Sequence, residues 1–149
     1  MTTVYRQLPI QLRWADFDAN NHLLHSRYYD FGAFIRMQAL NDLGLAMKRL
    51  SQLQCAPVLY REEAVFKKEI CFNDEVFIDI HLLKARPDYA RWSFIHQLVR
   101  GKSELCATIT VEGSFIDPFK RKAIIPPEEI IAVFEKFSHH KNFVWIRKQ

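Results

Sequence analysis

The strongest constraint on this chain is one segment, roughly Arg27 to Lys48, that has helical periodicity and is apolar over most of its circumference. At 100° per residue, its Asp30, Gln38, Asn41 and Asp42 fall within about a 120° arc. Tyr28, Phe31, Phe34, Ile35, Met37, Leu40 and Leu43 fill most of the rest, and Arg36 is the exception. A helix lying on a protein surface buries a narrower stripe than this. In a chain of 149 residues, such a helix has to be wrapped, so the pattern predicts a sheet that curls around it.

Strands for that sheet are written in period-2 alternation. In 64–72, Ala64, Phe66, Ile70 and Phe72 share a face, with Lys67 and Glu69 opposite. In 76–82, Val76, Ile78, Ile80 and Leu82 alternate with Phe77, Asp79 and His81. Segments 92–99 and 105–116 repeat the pattern, and turn residues such as Asn73-Asp74, Arg86-Pro87-Asp88 and Arg100-Gly101-Lys102 mark hairpin joints. Segment 4–14 reads as a first strand, and Pro126-Pro127-Glu128-Glu129 opens a short amphipathic helix. The predicted order is strand, long helix, four strands, short helix. That is an α+β architecture in a single domain spanning 1–149, with a curved antiparallel sheet around one central helix.

Composition narrows the function classes. With 49% hydrophobic and 26% charged residues, the chain lies near the globular mean, which excludes a disordered reading. No apolar run approaches the roughly 20 residues of a membrane helix. Residues Met1 to Arg13 lack the features of a signal peptide, so the expectation is a cytoplasmic protein with no membrane partner. Cys55, Cys71 and Cys106 are scattered without a CxxC pair, which suits reduced, mostly buried thiols. A formal charge of +4, from 21 Lys+Arg against 17 Asp+Glu, is too mild for a nucleic-acid binder. The basic residues gather at Lys67-Lys68, between Lys84 and Arg91, and at Lys120-Arg121-Lys122. These are either solvated surface or a landing site for a phosphorylated small ligand.

Polar residues concentrate between the first strand and the long helix: Asp16, Asp18, Asn20, Asn21, His22 and His25. A helix N-terminus offers unpaired N–H groups and a partial positive charge, suited to a developing oxyanion. A carboxylate just upstream can face those donors as nucleophile or general base. Taken alone, Asp16 or Asp18 is equally suited to bonding turn amides. Asp18, His22 and His25 are the right types for a metal, yet three ligands on a short loop without a fourth make a poor site, so no metal or cofactor is expected.

The run Arg13-Trp14-Ala15-Asp16-Phe17-Asp18-Ala19-Asn20-Asn21-His22-Leu23-Leu24-His25-Ser26-Arg27-Tyr28 resembles the hot-dog-fold acyl-CoA thioesterases of the hydroxybenzoyl-CoA thioesterase type. It is also similar to the plant acyl-carrier-protein thioesterases, whose Asp-x-Asn-x-His stands here as Asp18, Asn20 and His22. The resemblance implies a hot-dog fold and hydrolysis of an acyl-CoA or acyl-carrier-protein thioester. It makes Asp18 the catalytic carboxylate and the backbone N–H at His25 the group that polarises the carbonyl. Losing one such donor typically costs about 2.7–4 kcal/mol of barrier. Asn20 and His22 match catalytic positions in the plant branch, and His25 matches one in the bacterial branch.

The resemblance also implies an active site at a subunit interface, hence a homodimer or homotetramer. The acyl group is expected along Tyr28, Phe31 and Phe66, and the nucleotide end of CoA near Arg86, Arg91, Lys120 and Arg121. A second hot-dog lineage takes its carboxylate from the long helix, where Asp30 and Asp42 are the candidates. The sequence departs from the family pattern at Asn20-Asn21, where glycine is frequent, at Leu24-His25, and at Ala33, where an acidic residue is frequent. Asparagine tolerates the left-handed turn, and the departures at Leu24 and Ala33 motivate the alternative of a non-catalytic binder of acyl thioesters or apolar ligands using the same pocket.

Overall fold

The computed structural model describes residues 6–147. The first strand, β1 (Arg6–Pro9), is shorter than predicted, and Val4 and Tyr5 of segment 4–14 lie outside the described residues. A loop containing a single 3₁₀ turn, Trp14–Asp16, leads into α1 (His25–Asp42). Then come α2 (Met47–Gln52), β2 (Ala56–Phe66), β3 (Val76–Ala85), β4 (Arg91–Arg100) and β5 (Glu104–Asp117). The two-residue β6 (Lys122–Ala123), α3 (Glu128–Phe134) and β7 (His139–Trp145) close the described chain.

Alternation chooses the buried face of the sheet. Ile78, Ile80 and Leu82 on β3, Phe94 and Leu98 on β4, and Ala107, Ile109 and Val111 on β5 are all buried. The strand order is β1-β3-β4-β5-β2, with antiparallel pairing along that path. α1 lays Tyr28, Gly32, Ile35, Ala39 and Leu40 on the sheet. At Gly32 a β-carbon would stand 3.2 Å from the His96 ring and 3.6 Å from Ile109, so the helix approaches the strands closely there. The expected architecture holds: a curved antiparallel sheet, one long helix and a short C-terminal helix.

Four further details differ from the sequence reading. α1 stops at Asp42 instead of running to Lys48. Gly44 takes φ +93°, Leu45 N–H bonds to the Leu40 carbonyl at 2.8 Å, and Gly44 N–H bonds to that of Asn41 at 3.1 Å. This is a Schellman stop, which glycine at that position makes easy. Within one chain the helix is not wrapped: Phe34 is 49% and Met37 40% exposed.

The strand expected at 64–72 is instead β2, which starts at Ala56 and ends at Phe66. Most of β2 is exposed, so Arg61-Glu62-Glu63 carry no alternation to read. β7 was not expected at all; it pairs parallel to β3 through a sequence, His139–Trp145, without a regular apolar period.

Candidate functional site

Two aspartates two residues apart do different work in the loop before α1. Asp16 is 1% exposed. Its carboxylate accepts the backbone N–H of Arg13 at 3.0 Å and Nη2 of Arg13 at 2.8 Å, and Nε of Arg27 lies 3.2 Å away. The hydrogen-bonded Arg13 guanidinium holds the Asp16 carboxyl below its usual range against the opposing effect of burial. The Asp16 carbonyl accepts Leu24 N–H at 2.9 Å. Asp16 thus anchors the loop to the start of α1 and is not available for chemistry.

Asp18 opens outward. Its Oδ1 accepts the N–H of Asn20 at 2.8 Å and of His22 at 3.0 Å, and its own N–H bonds to the His22 carbonyl at 2.9 Å. These bonds close a tight turn in which Asn21 takes φ +60°, a left-handed conformation asparagine tolerates. The His22 amide, followed by that of Asn20, holds the Asp18 carboxyl below its ordinary value and so ionised at neutral pH. Oδ2 makes no hydrogen bond among the described residues.

Asp18, His22, His25 and Tyr28 line one open cleft of about 360 Å³, whose other wall is Phe66 to Ile70. α1 begins there with Leu24 at the N-cap, which provides no side-chain cap. Arg27 N–H turns back to the Leu24 carbonyl at 2.9 Å, and the amides of His25 and Ser26 lack the side-chain partner that serine, threonine or aspartate usually gives. Tyr28 and Phe66 meet edge to face with centroids 4.8 Å apart, and burial pushes the Tyr28 phenol up to about 12. His22 Nε2 lies 2.7 Å from Glu69.

The structure does not bring all the expected residues to this cleft. Asn20 lies exposed in the turn and contributes its backbone amide to Asp18. Phe31 lies on another side of α1 and lines a separate cleft with Arg13, Asp16 and Asp30, away from Tyr28 and Phe66. Arg86 and Arg91 line a third pocket with Tyr60, and the Arg91 guanidinium sits over the Tyr60 ring at 5.3 Å. Arg121 is exposed in the turn between β5 and β6 at φ +58°. Of the helix carboxylates, Asp30 pairs with Arg27 at 3.2 Å and Asp42 accepts a bond from Gln38 at 2.9 Å.

The sequence marks Lys67-Lys68 as a basic cluster suited to solvent or a phosphorylated ligand, but it assigns 64–72 to a strand and does not place Lys67, Lys68 and Glu69 opposite the Asp18 loop. Conversely, the Arg13 and Asp16 spacing is a sequence signal for the anchor that was open to reading.

The sequence profile of the thioesterase-like superfamily matches residues 12–134. No curated protein matches the chain. Among solved structures, a Staphylococcus aureus protein determined in complex with CoA is 17% identical with a TM-score of 0.81, over 95% of this chain and 90% of that one. A 1,4-dihydroxy-2-naphthoyl-CoA thioesterase from Synechocystis is 14% identical with a TM-score of 0.79, over 92% and 100%. A DHNA-CoA thioesterase from Staphylococcus aureus is 18% identical with a TM-score of 0.78, over 89% of each chain. Likeness at these identities speaks to fold. No helix among the described residues is long and apolar enough to cross a membrane.

Proposed function

The chain belongs to the thioesterase-like superfamily, and on that premise we propose that it hydrolyses acyl-CoA thioesters at the Asp18 cleft. One observation carries this reading: an ionised carboxylate and the uncapped start of α1 line the same cleft. Asp18 either attacks the thioester carbonyl through Oδ2, breaking the C–S bond to release CoA thiolate and leaving an acyl anhydride that water then cleaves, or takes a proton from a water whose addition to the carbonyl expels the thiolate. The amides opening α1 near His25 receive the charge that builds on the carbonyl oxygen. His25 stands at the first position of α1, and His22, held by Glu69, borders the leaving thiol. Tyr28 and Phe66 supply an apolar contact for the acyl group, and Lys67 brings positive charge to the rim, while Lys68 is paired with Glu104 at 3.0 Å.

The test is a panel of short, medium, long and aromatic acyl-CoAs, with thiol release followed for wild type, Asp18→Asn and Asp18→Ala. The expected loss is about 10²- to 10⁴-fold in kcat, the usual range for a positioned acid–base group. Both variants retaining full rate on a substrate that the wild type hydrolyses overturns the mechanism. Oδ1 is already engaged in the turn, and that observation favours a second reading, binding without turnover. Tight acyl-CoA binding with no thiol release over hours selects it. We also infer a homodimer or homotetramer, since β2 ends the strand order with its outer edge unpaired among the described residues.

A further inference from the structure

The turn joining β5 to β6 stands out from the sheet. On one side of β5 the pairing with β2 stops at Ala56 and Ile116. On the other, β4 reaches only Arg91 opposite Ser114, and β6 continues with Ala123 on Ile116 and Lys122 on Asp117. Residues 118–121 therefore project past both neighbouring strands, on the side of β5 away from the open edge of β2. They are also remote from the Asp18 cleft. Ile116 lies nine residues beyond Ala107, the partner of Phe66, which is about 30 Å of strand.

This turn is built to hold its shape. Oδ1 of Asp117 accepts the N–H of Phe119 at 2.8 Å and of Lys120 at 3.0 Å, and Arg121 N–H bonds to the Asp117 carbonyl at 2.8 Å. The amides of Lys120 and Phe119 hold the Asp117 carboxyl below its usual range, so its charge is turned inward to the backbone. Arg121 takes φ +58°, where glycine or asparagine is the easier choice.

The outward face carries one aromatic ring and three cations. Phe119 is 76% exposed, the most of any large apolar side chain among the described residues. Lys120, Arg121 and Lys122 are exposed, and none forms an ion pair among the described residues. Solvation accounts for a run of cations but not for a ring held out in water beside them. The combination matches the boundary of a bilayer, where cations meet phosphates and an apolar ring enters between the headgroups. A soluble phosphate would use the cations and leave the ring in water.

We propose that this hairpin docks the protein on an anionic phospholipid membrane, with Lys120, Arg121 and Lys122 on the headgroup phosphates and Phe119 inserted at the interface. For want of a spanning segment the sequence suggests no membrane partner, but a peripheral contact needs none. The surface is separate from the Asp18 cleft and does not require that the protein hydrolyse thioesters.

Sedimentation with vesicles tests it, comparing phosphatidylcholine alone with phosphatidylcholine containing roughly one-third phosphatidylserine at about 0.1 M salt. Wild type is expected to partition on the order of a hundredfold more strongly to the anionic vesicles, about fivefold for each cation at the surface. Lys120→Gln should weaken binding about fivefold. Lys102→Gln, an exposed change in the turn between β4 and β5, should leave it unchanged. Phe119→Ser should weaken it about tenfold, and Phe119→Trp should retain it. Asp18→Asn should bind as wild type does, so the outcome is separate from that of the hydrolysis assay. Millimolar CoA at constant ionic strength should release none of the bound protein. Equal sedimentation with both compositions, unchanged binding by Phe119→Ser, or a loss in Lys102→Gln equal to that in Lys120→Gln each overturn the proposal. Release by CoA also overturns it and assigns the cations to a soluble phosphate.

Discussion

At the scale of single residues, the chain separates side chains that hold shape from side chains open to a ligand. Asp16 and Asp18 have the same side chain and adjacent turns, yet one is buried and held by two arginines and the other is exposed, with Oδ2 free of hydrogen bonds among the described residues. His96 is the structural counterpart among the histidines, fully buried, with Nδ1 donating to the Asp79 carbonyl at 3.0 Å and its Nε2 lone pair turned toward Arg36. Protonating it would place an N–H against a guanidinium.

Burial and the neighbouring Arg36 cation push its folded pKa down to about 3, below the unfolded value of 6.5. The unfolded chain therefore binds more protons between those limits, so stability is full above about pH 6.5 and falls as pH drops toward 3. Within that window the slope approaches about 1.4 kcal/mol per pH unit for one such group. His139 and His140, also lowered by burial, add to it with the same sign. Asp16 and Asp18 begin to act only below their ordinary value of 3.8. Urea unfolding between pH 7 and pH 4.5 should show wild type losing stability steadily. His96→Gln, which keeps an acceptor for Arg36 but cannot titrate, should flatten most of that loss; an unchanged slope would remove His96 from the account.

At the scale of elements, packing against neighbours decides what single-strand patterns leave open. Gly113 on β5 shows it: a β-carbon there would come within 2.5 Å of both the Trp92 ring and the Val58 carbonyl. Neither contact can yield without moving the buried Trp92 ring or pulling β2 from β5. Gly113→Ala is expected to destabilise the fold by about 1–3 kcal/mol, as over-packing does. A thermal melt of the variant that matches wild type would refute this.

The same logic explains what was legible in the sequence. The buried strands β3, β4 and β5 each present one face to the core, so alternation is written into them and they were readable. β2 sits at the sheet edge with both faces largely exposed, and β7 adds to β3 from the far end of the chain, so neither has a period to find. The Asp18 loop was legible because polar residues cluster before a helix. Its opposite wall was not, because the approach of Lys67 to Ile70 is a tertiary event. Phe31 was placed with Tyr28 from shared apolar character, but the turn of α1 puts it into a different cleft.

At the scale of the whole molecule, the single chain leaves unfinished surface where its edge strand and its central helix meet solvent. On β2, Leu59, Tyr60, Val65 and Phe66 are 39%, 51%, 43% and 51% exposed. On α1, Phe34 and Met37 add to that surface. Burying a large apolar side chain fully contributes about 1.5–3 kcal/mol, and an open strand edge invites a further strand. A second copy placed across β2 would satisfy both at once and would bring another chain toward the Asp18 cleft, because Phe66 ends β2 in that cleft's wall.

Light scattering on purified protein is therefore expected to give about two or four times 17.7 kDa. Val65→Lys sets a charge on the exposed edge, twice over in a symmetric pair, and should shift the mass toward one chain while circular dichroism stays unchanged. If the cleft is completed across that edge, thiol release should fall in parallel with the assembled fraction as Val65→Lys protein is diluted. A wild type that remains a single chain at micromolar concentration would show that β2 ends in solvent and that the cleft is complete within one chain.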